Sequence, residues 1–419
     1  PALFVLAAEG RLRTGLAGDA ILLRIKLFFP FPVALANFAH AGILTKSSGP
    51  AQFMPDIPCT STVNAGRRVL ALALALLAAA CAAPSYYVQA VSGHYSLMNQ
   101  REDIDALLRR QGTDAELASR LELAGEMREF GVRVLALKDS GAYRQYVATG
   151  RDAVAWNVVA TPEFSLDPKR WCFLVSGCVP YRGYFDRNDA ERFARKLAAQ
   201  GYDIALSPAT AYSTLGWFDD PLFDTMFRHG NTELAAVLFH EMAHQKLYVK
   251  GDAAFSEAFA TFVEGVGVER WIRAHGTPGS LQQWRQKEAA SLQFNAFLRQ
   301  QRLQLEKIYA KEQEEAELRL EKQAFFGRFR QAYQAMVEEA WNGRDYYGGW
   351  VAGELNNAHL ALVSTYQGGA CAFSNLYRTA GENMERFMQL SAQTAALSRD
   401  DRDSWLQQAC SAVAPGGDL

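Results

Sequence analysis

The chain has 419 residues, 49% apolar and 21% charged, with 43 basic and 45 acidic side chains for a formal charge of −2. Such a composition can bury a sizeable core and argues against disorder as the main state. The charge balance argues against a nucleic-acid binder, which would carry a basic excess. No run reaches about 18 clean apolar residues, which argues against a polytopic membrane protein.

Residues 1–53 are rich in Ala, Leu and Phe, are interrupted by Pro30 and Pro32, and keep no helical or strand period. No methionine precedes Met54. This stretch is expected to be an over-extended gene start or an unstructured N-terminus. Residues 54–81 have the order of a secretory signal. Arg67 and Arg68 form a basic start, Val69 to Leu77 an apolar run, and Ala78-Ala79-Ala80-Cys81 a small-residue site ending in cysteine. About eleven apolar residues are too few for a stable span but enough to engage a translocon. The cysteine after small residues resembles a bacterial lipoprotein signal. That resemblance implies a lipid on Cys81, a mature chain beginning there, and a membrane as partner through the lipid. Ala82 rather than Asp follows the cysteine, so the expected location is the outer membrane, facing the periplasm.

An oxidising compartment suits the other cysteines. Cys172 and Cys178 are close enough in sequence to bridge a hairpin loop, and Cys371 with Cys410 is the second pair by elimination. No CxxC occurs, so a thiol metal site is not expected.

Residues 82–419 read as a single domain. Leu, Ile and Val at three- and four-residue spacing predict helices over 103–110 and 115–137. Short apolar or aromatic runs bounded by Pro, Gly and Asp predict strands at 154–159, 171–175 and 202–206, with a helix at 189–200 between them. Two helices are expected at about 231–249 and 254–274, then a long polar helical region from about 280 to 341. That region keeps no heptad and reads as a solvated helical hairpin. Gly343 to Gly353 breaks it, and helices follow at about 354–366, 383–397 and 402–413. The fold class is α+β and mainly helical, with a small sheet ahead of the chemistry-bearing helices.

That chemistry sits at His240-Glu241-Met242-Ala243-His244, an HExxH inside a helical pattern. Histidines at i and i+4 stack on one helix face, so both imidazoles reach one ion. Neutral imidazole suits Zn²⁺, and the adjacent Glu241 can take a proton from an activated water. No HxxGxxH extension supplies a third histidine. The following helix instead carries Glu257, Thr261 and Glu264 at i, i+4 and i+7 among Phe255, Phe259, Phe262 and Val266. Carboxylates on a mostly apolar helix need a cation or donors to offset their desolvation.

HEMAH followed by FSEAFATFVE resembles the gluzincin metallopeptidases. With VSGCVPYRGYF (175–185), YSTLGWFDDPL (212–222) and GELNNAHLALVSTY (353–366), the chain looks like the bacterial predicted aminopeptidases over roughly 81–400. The resemblance implies a zincin-like core, one Zn²⁺ on His240, His244 and Glu257, Glu241 as base, and a peptide substrate. Twelve residues separate His244 from Glu257, shorter than the usual gluzincin interval. That spacing demands a brief turn, which Gly251-Asp252 can supply, and it leaves Glu264 as a rival ligand.

Leu215, Gly216 and Trp217 are candidates for a strand that pairs with extended substrate. Asp219, Asp220 or Glu264 could hold the free ammonium of an aminopeptidase substrate. Tyr366 is the first candidate to stabilise the oxyanion, with Tyr346 and Tyr347 next. The alternatives are an endopeptidase, or an envelope lipoprotein whose metal is structural and which binds a partner.

Overall fold

β-Branched and aromatic runs punctuated by Pro and Gly give the first half its strands, and amphipathic runs give the second half its helices. The structure, a computed structural model, describes residues 82–173, 177–211, 219–363 and 369–408. Helix α1 (Ala82–Met98) leads into a short strand β1 (Glu102–Asp103) and helices α2 (Ile104–Arg109) and α3 (Ala115–Val134). Asp103 and Asp114 cap α2 and α3, their carboxylates accepting from Ala106 N and Leu117 N.

Strands β2 (Gln145–Val147), β3 (Ala155–Pro162), β4 (Trp171–Phe173), β5 (Gly177–Val179) and β6 (Arg182–Tyr184) follow. After them come helix α4 (Arg187–Ala198), then β7 (Tyr202–Ala209) and β8 (Leu222–Phe223). They form three small sheets. In one, β3 is the centre, antiparallel to both β6 and β7. In the second, β2 pairs antiparallel with β1 and parallel with β8. The third is the β4–β5 hairpin, in which Cys172 faces Cys178 and is disulfide-bonded to it, as the spacing predicts. All described strands precede the HExxH helix, so the α+β, mainly helical reading holds.

Strand β3 is buried on both faces. Val158 and Ala160 pack with Tyr184, Ala190 and Leu197 on the α4 side. Val159 packs with Ala205, Ala358 and Ala361 on the other.

Helices α5 (Asn231–Lys246) and α6 (Ala253–His275) form the centre of the largest core. Phe239 of α5 meets Phe130 of α3, and Phe259 of α6 stacks on Phe387 with ring centroids 6.0 Å apart. Gly267 lets the two helices approach: a Cβ there would lie 2.8 Å from the Phe239 ring and 2.7 Å from Leu135. Helices α7 (Ser280–Tyr309) and α8 (Glu315–Trp341) form the predicted hairpin. Leu303 and Leu320 are exposed as expected of a solvated surface, but the inner faces bury Phe294, Phe325, Phe329, Tyr333 and Trp341 in a second core.

The C-terminal part holds α9 (Gly348–Val351), α10 (Asn357–Ala361), α11 (Ala370–Thr379), α12 (Met384–Ala395) and α13 (Arg399–Leu406). Two sequence expectations are corrected here. Of the helix expected over 354–366, the described residues hold only the short α10. Its Asn356 and Asn357 are tied down by Ile204 O, Pro162 O and Glu163 O instead of extending a helical face. Helix α11 was not expected, because its start at Gly369 has no side-chain cap to announce it.

Candidate metal centre

HExxH lies in the last two turns of α5. His240, Glu241 and His244 are each no more than 3% exposed, so burial alone makes their chemistry consequential. Glu257 enters from the first turns of α6 and is buried too. The tight connection between the helices is built from side chains at its own turn. Gly251 takes the left-handed backbone (φ +82°) that a β-carbon disfavours. Asp252 then caps α6 by accepting from Phe255 N at 3.1 Å. Ser256 Oγ accepts from Val249 N at 3.0 Å and donates to Asp252 O at 2.9 Å. The second Asp252 oxygen accepts from Arg402 Nε of α13 at 2.7 Å, a buried ion pair. This clamp is how a twelve-residue interval delivers Glu257 to the histidines.

The three side chains converge. His240 Nε2 and His244 Nε2 are 3.1 Å apart. Glu257 Oε2 is 3.4 Å from the first and Glu257 Oε1 3.5 Å from the second. Two basic nitrogens do not approach so closely without a shared proton or cation, and two imidazoles with a carboxylate suit a metal ion. Glu264 is elsewhere: its Oε2 lies 3.0 Å from His240 Nδ1, on the opposite side of the ring. In this geometry it orients the imidazole and does not compete for the ion. Thr261, between the two glutamates on the same row, is exposed, so the row opens to solvent there.

The electrostatics follow from burial and pairing. Burial pulls the His240 imidazolium down, but hydrogen bonds to Glu257 and Glu264 outweigh it and push the group up to about 10. Burial would raise Glu257, yet the two histidines hold it well below the usual carboxylate range. Glu241 is raised by burial against the pull of both histidines, and its Oε2 has no hydrogen-bond partner among the described residues. A buried carboxylate oxygen without a partner costs free energy, and substrate or water is the natural donor to it.

Three residues beside the site carry no motif. Tyr143 is buried with φ +61°, and its amide donates to Asp220 O at 2.7 Å. Burial and the charges of Glu241 and Asp220 raise its phenol well above the usual range. Its loop is pinned by Arg128 Nε donating to Ala142 O at 2.9 Å and by Ser140 Oγ donating to Gln245 Oε1 at 2.9 Å. Tyr248, one turn beyond His244, puts its ring 6.0 Å from that imidazole, and burial and Glu257 raise its phenol. Glu288 of α7 is pushed up to about 7 by burial and the neighbouring Glu264 charge. Among many tyrosines and glutamates, only tertiary placement singles these out.

Of the other expected residues, Asp219 is exposed and accepts from Arg101 through its backbone oxygen, whereas Asp220 is buried. Tyr346 and Tyr347 pack in the α7–α8 core, Tyr347 stacked on Phe294 at 4.1 Å, far in role from an oxyanion donor. Gly216, Trp217, Tyr366, Cys81 and Cys410 lie outside the described residues. Cys371 is disulfide-bonded.

Residues 85–406 match the protein family described as "Putative aminopeptidase". The chain belongs to this family. Membership in the aminopeptidase family suggests peptidase activity, and the matched span contains every element of the site just described. No curated protein and no solved structure matches the chain.

Proposed function

We propose that the protein is a zinc-dependent peptidase, an aminopeptidase of the bacterial cell envelope carried on a lipid at Cys81. The observation that carries the zinc reading is the convergence of His240 Nε2 and His244 Nε2, 3.1 Å apart, with Glu257, whose Oε2 is 3.4 Å from the first and whose Oε1 is 3.5 Å from the second. Bonds of about 2.0–2.1 Å at tetrahedral angles place ligand atoms about 3.3–3.4 Å apart. When bound, zinc polarises the scissile carbonyl and makes water a nucleophile near neutral pH. His240, His244 and Glu257 hold it, and Glu264 fixes the His240 ring through Nδ1. Glu241 takes the proton of the attacking water and passes it to the leaving amine; its raised pKa keeps it within reach of both tasks. A base beside the histidines has no use in a purely structural site. The aminopeptidase specificity rests on family membership, and the envelope location on the signal-like residues 54–81.

The test is metal content and turnover of the wild type beside Glu241→Gln and Glu257→Ala, on amino-acid amides and N-blocked peptides. One zinc in the wild type and in Glu241→Gln, with activity in the wild type alone and only on free N-termini, is expected. Zinc retained by Glu257→Ala would overturn the ligand assignment. Turnover of blocked peptides would overturn the aminopeptidase reading, and stoichiometric zinc without turnover the catalytic one.

A further inference from the structure

We infer that the outer face of helix α1 is a membrane-contact surface that lies in the headgroup region of a bilayer. The inference goes beyond the peptidase reading and uses none of its metal-site residues, but its choice of a bilayer rests on the proposed lipid at Cys81. Helix α1 runs for 17 residues without one Asp, Glu, Lys or Arg. The surface helices α4 and α13 are built the other way, as Arg187–Ala198 and Arg399–Leu406 carry charge on most turns.

One face of α1 is fastened to the protein. Tyr86 is buried against Tyr184 and Phe173, with ring centroids 5.7 and 5.1 Å away, and the Arg182 guanidinium covers its ring at 4.1 Å. Gln89 Nε2 donates to Gly183 O at 3.3 Å, and Ala90 and Leu97 are buried. Gly93 lies so close to the Phe185 ring that a Cβ there would be 2.4 Å away. The helix is therefore docked and cannot roll to hide its other side.

That other side is apolar and exposed. Val88, Val91 and Tyr95 are 65%, 62% and 63% exposed, and Tyr87 joins them. At 3.6 residues per turn these four fall within an arc of about 100°, roughly opposite the docked residues. A fixed, uncharged stripe of valine and tyrosine is poorly suited to water, and tyrosine favours the layer where acyl chains meet headgroups. The position of the stripe selects a bilayer over a protein partner. Cys81, the residue read as lipidated, stands shortly before Tyr87 in the sequence, so an acyl chain on it would keep the stripe near a bilayer. An acyl anchor at one end and an interfacial stripe along the flank would lay the helix in the membrane plane, in the manner of interfacial helices. No described helix is long and apolar enough to cross a membrane, so contact would be peripheral.

The experiment uses the full chain as processed in a bacterial host, reconstituted into phosphatidylethanolamine–phosphatidylglycerol vesicles. Single nitroxide labels are placed at Val88, Val91 and Tyr95, with Leu303 and Leu320 as exposed controls on the α7–α8 hairpin. On vesicles, the α1 labels are expected to lose severalfold of their accessibility to a water-soluble nickel complex and gain accessibility to oxygen, with the controls unchanged. Labels as water-accessible as the controls, protein that does not float with the vesicles, or protection already present without lipid in a dimer would each overturn the inference. The mass of the N-terminal peptide reports acylation separately. Unacylated protein that still buries the α1 labels supports the surface and refutes only the lipid.

Discussion

His240 is held from two sides, and the two carboxylates do different work. Glu257 meets Nε2, where an ion would bind, and Glu264 meets Nδ1. Glu264→Gln is accordingly expected to lower zinc affinity about 10- to 100-fold without abolishing it, the usual loss for an outer partner of a ligand histidine. Competition with a chromogenic chelator measures that loss. Glu241→Gln is expected to bind zinc normally and lose about 10²- to 10⁴-fold in kcat, the range of general-base catalysis. The proton on His240 gives a signed pH dependence. Zinc must displace a proton held with a pKa of about 10, so apparent affinity rises with pH up to that value, about tenfold per unit for one proton. Calorimetry in buffers of different ionisation enthalpy would count the proton released. The same raised pKa stabilises the zinc-free chain fully below about 6.5, and that contribution is lost as pH rises towards 10. A melting series across this window should show zinc-free stability falling from this group.

At the scale of elements, the turn between α5 and α6 is the most demanding feature. Arg402→Ala would leave Asp252 buried with an unpaired charge, a loss of about 3–5 kcal/mol for a broken buried pair. The displaced cap should also loosen Glu257, so zinc affinity falls even in molecules that remain folded, and Arg402→Lys should recover part of both. Urea melts with zinc titration test the pair. This clamp also marks the limit of what the sequence discloses. HExxH and the Glu257 row are local patterns at helical spacing, so α5, α6 and their ligands are legible without a structure. Gly251-Asp252 is legible as a turn for the same reason. Arg402 lies 150 residues from Asp252 and follows no pattern that ties it there. Tyr143 is hidden for the same reason, and so are the two-residue strands β1 and β8, which exist only through pairing with β2. Periodicity also suggested that the α7–α8 hairpin is solvated, because its charged outer positions outnumber the aromatic ones that meet only across the pair.

Across the molecule, separate cores keep distant parts independent. The sheet with β3 at its centre packs with α4 in a cluster apart from the one enclosing the metal centre. The Cys172–Cys178 bridge closes a short hairpin beside that sheet. Replacing both cysteines with serine is expected to cost about 2 kcal/mol by the loop-closure relation and to leave zinc affinity unchanged. Parallel measurement of melting and zinc binding separates the two effects.

The place of Arg402 in the chain has a consequence in time. A polypeptide still being made exposes both histidines and Glu257 some 145 residues before the arginine that clamps their turn (402 − 257). Until α13 arrives, Asp252 is a cap without its counter-charge. On the proposed reading, a nascent chain would thus hold metal weakly and turn over little substrate. A chain stopped after Leu397 should remain in that immature condition, binding zinc more weakly than the finished one. The order of synthesis itself would delay the final geometry.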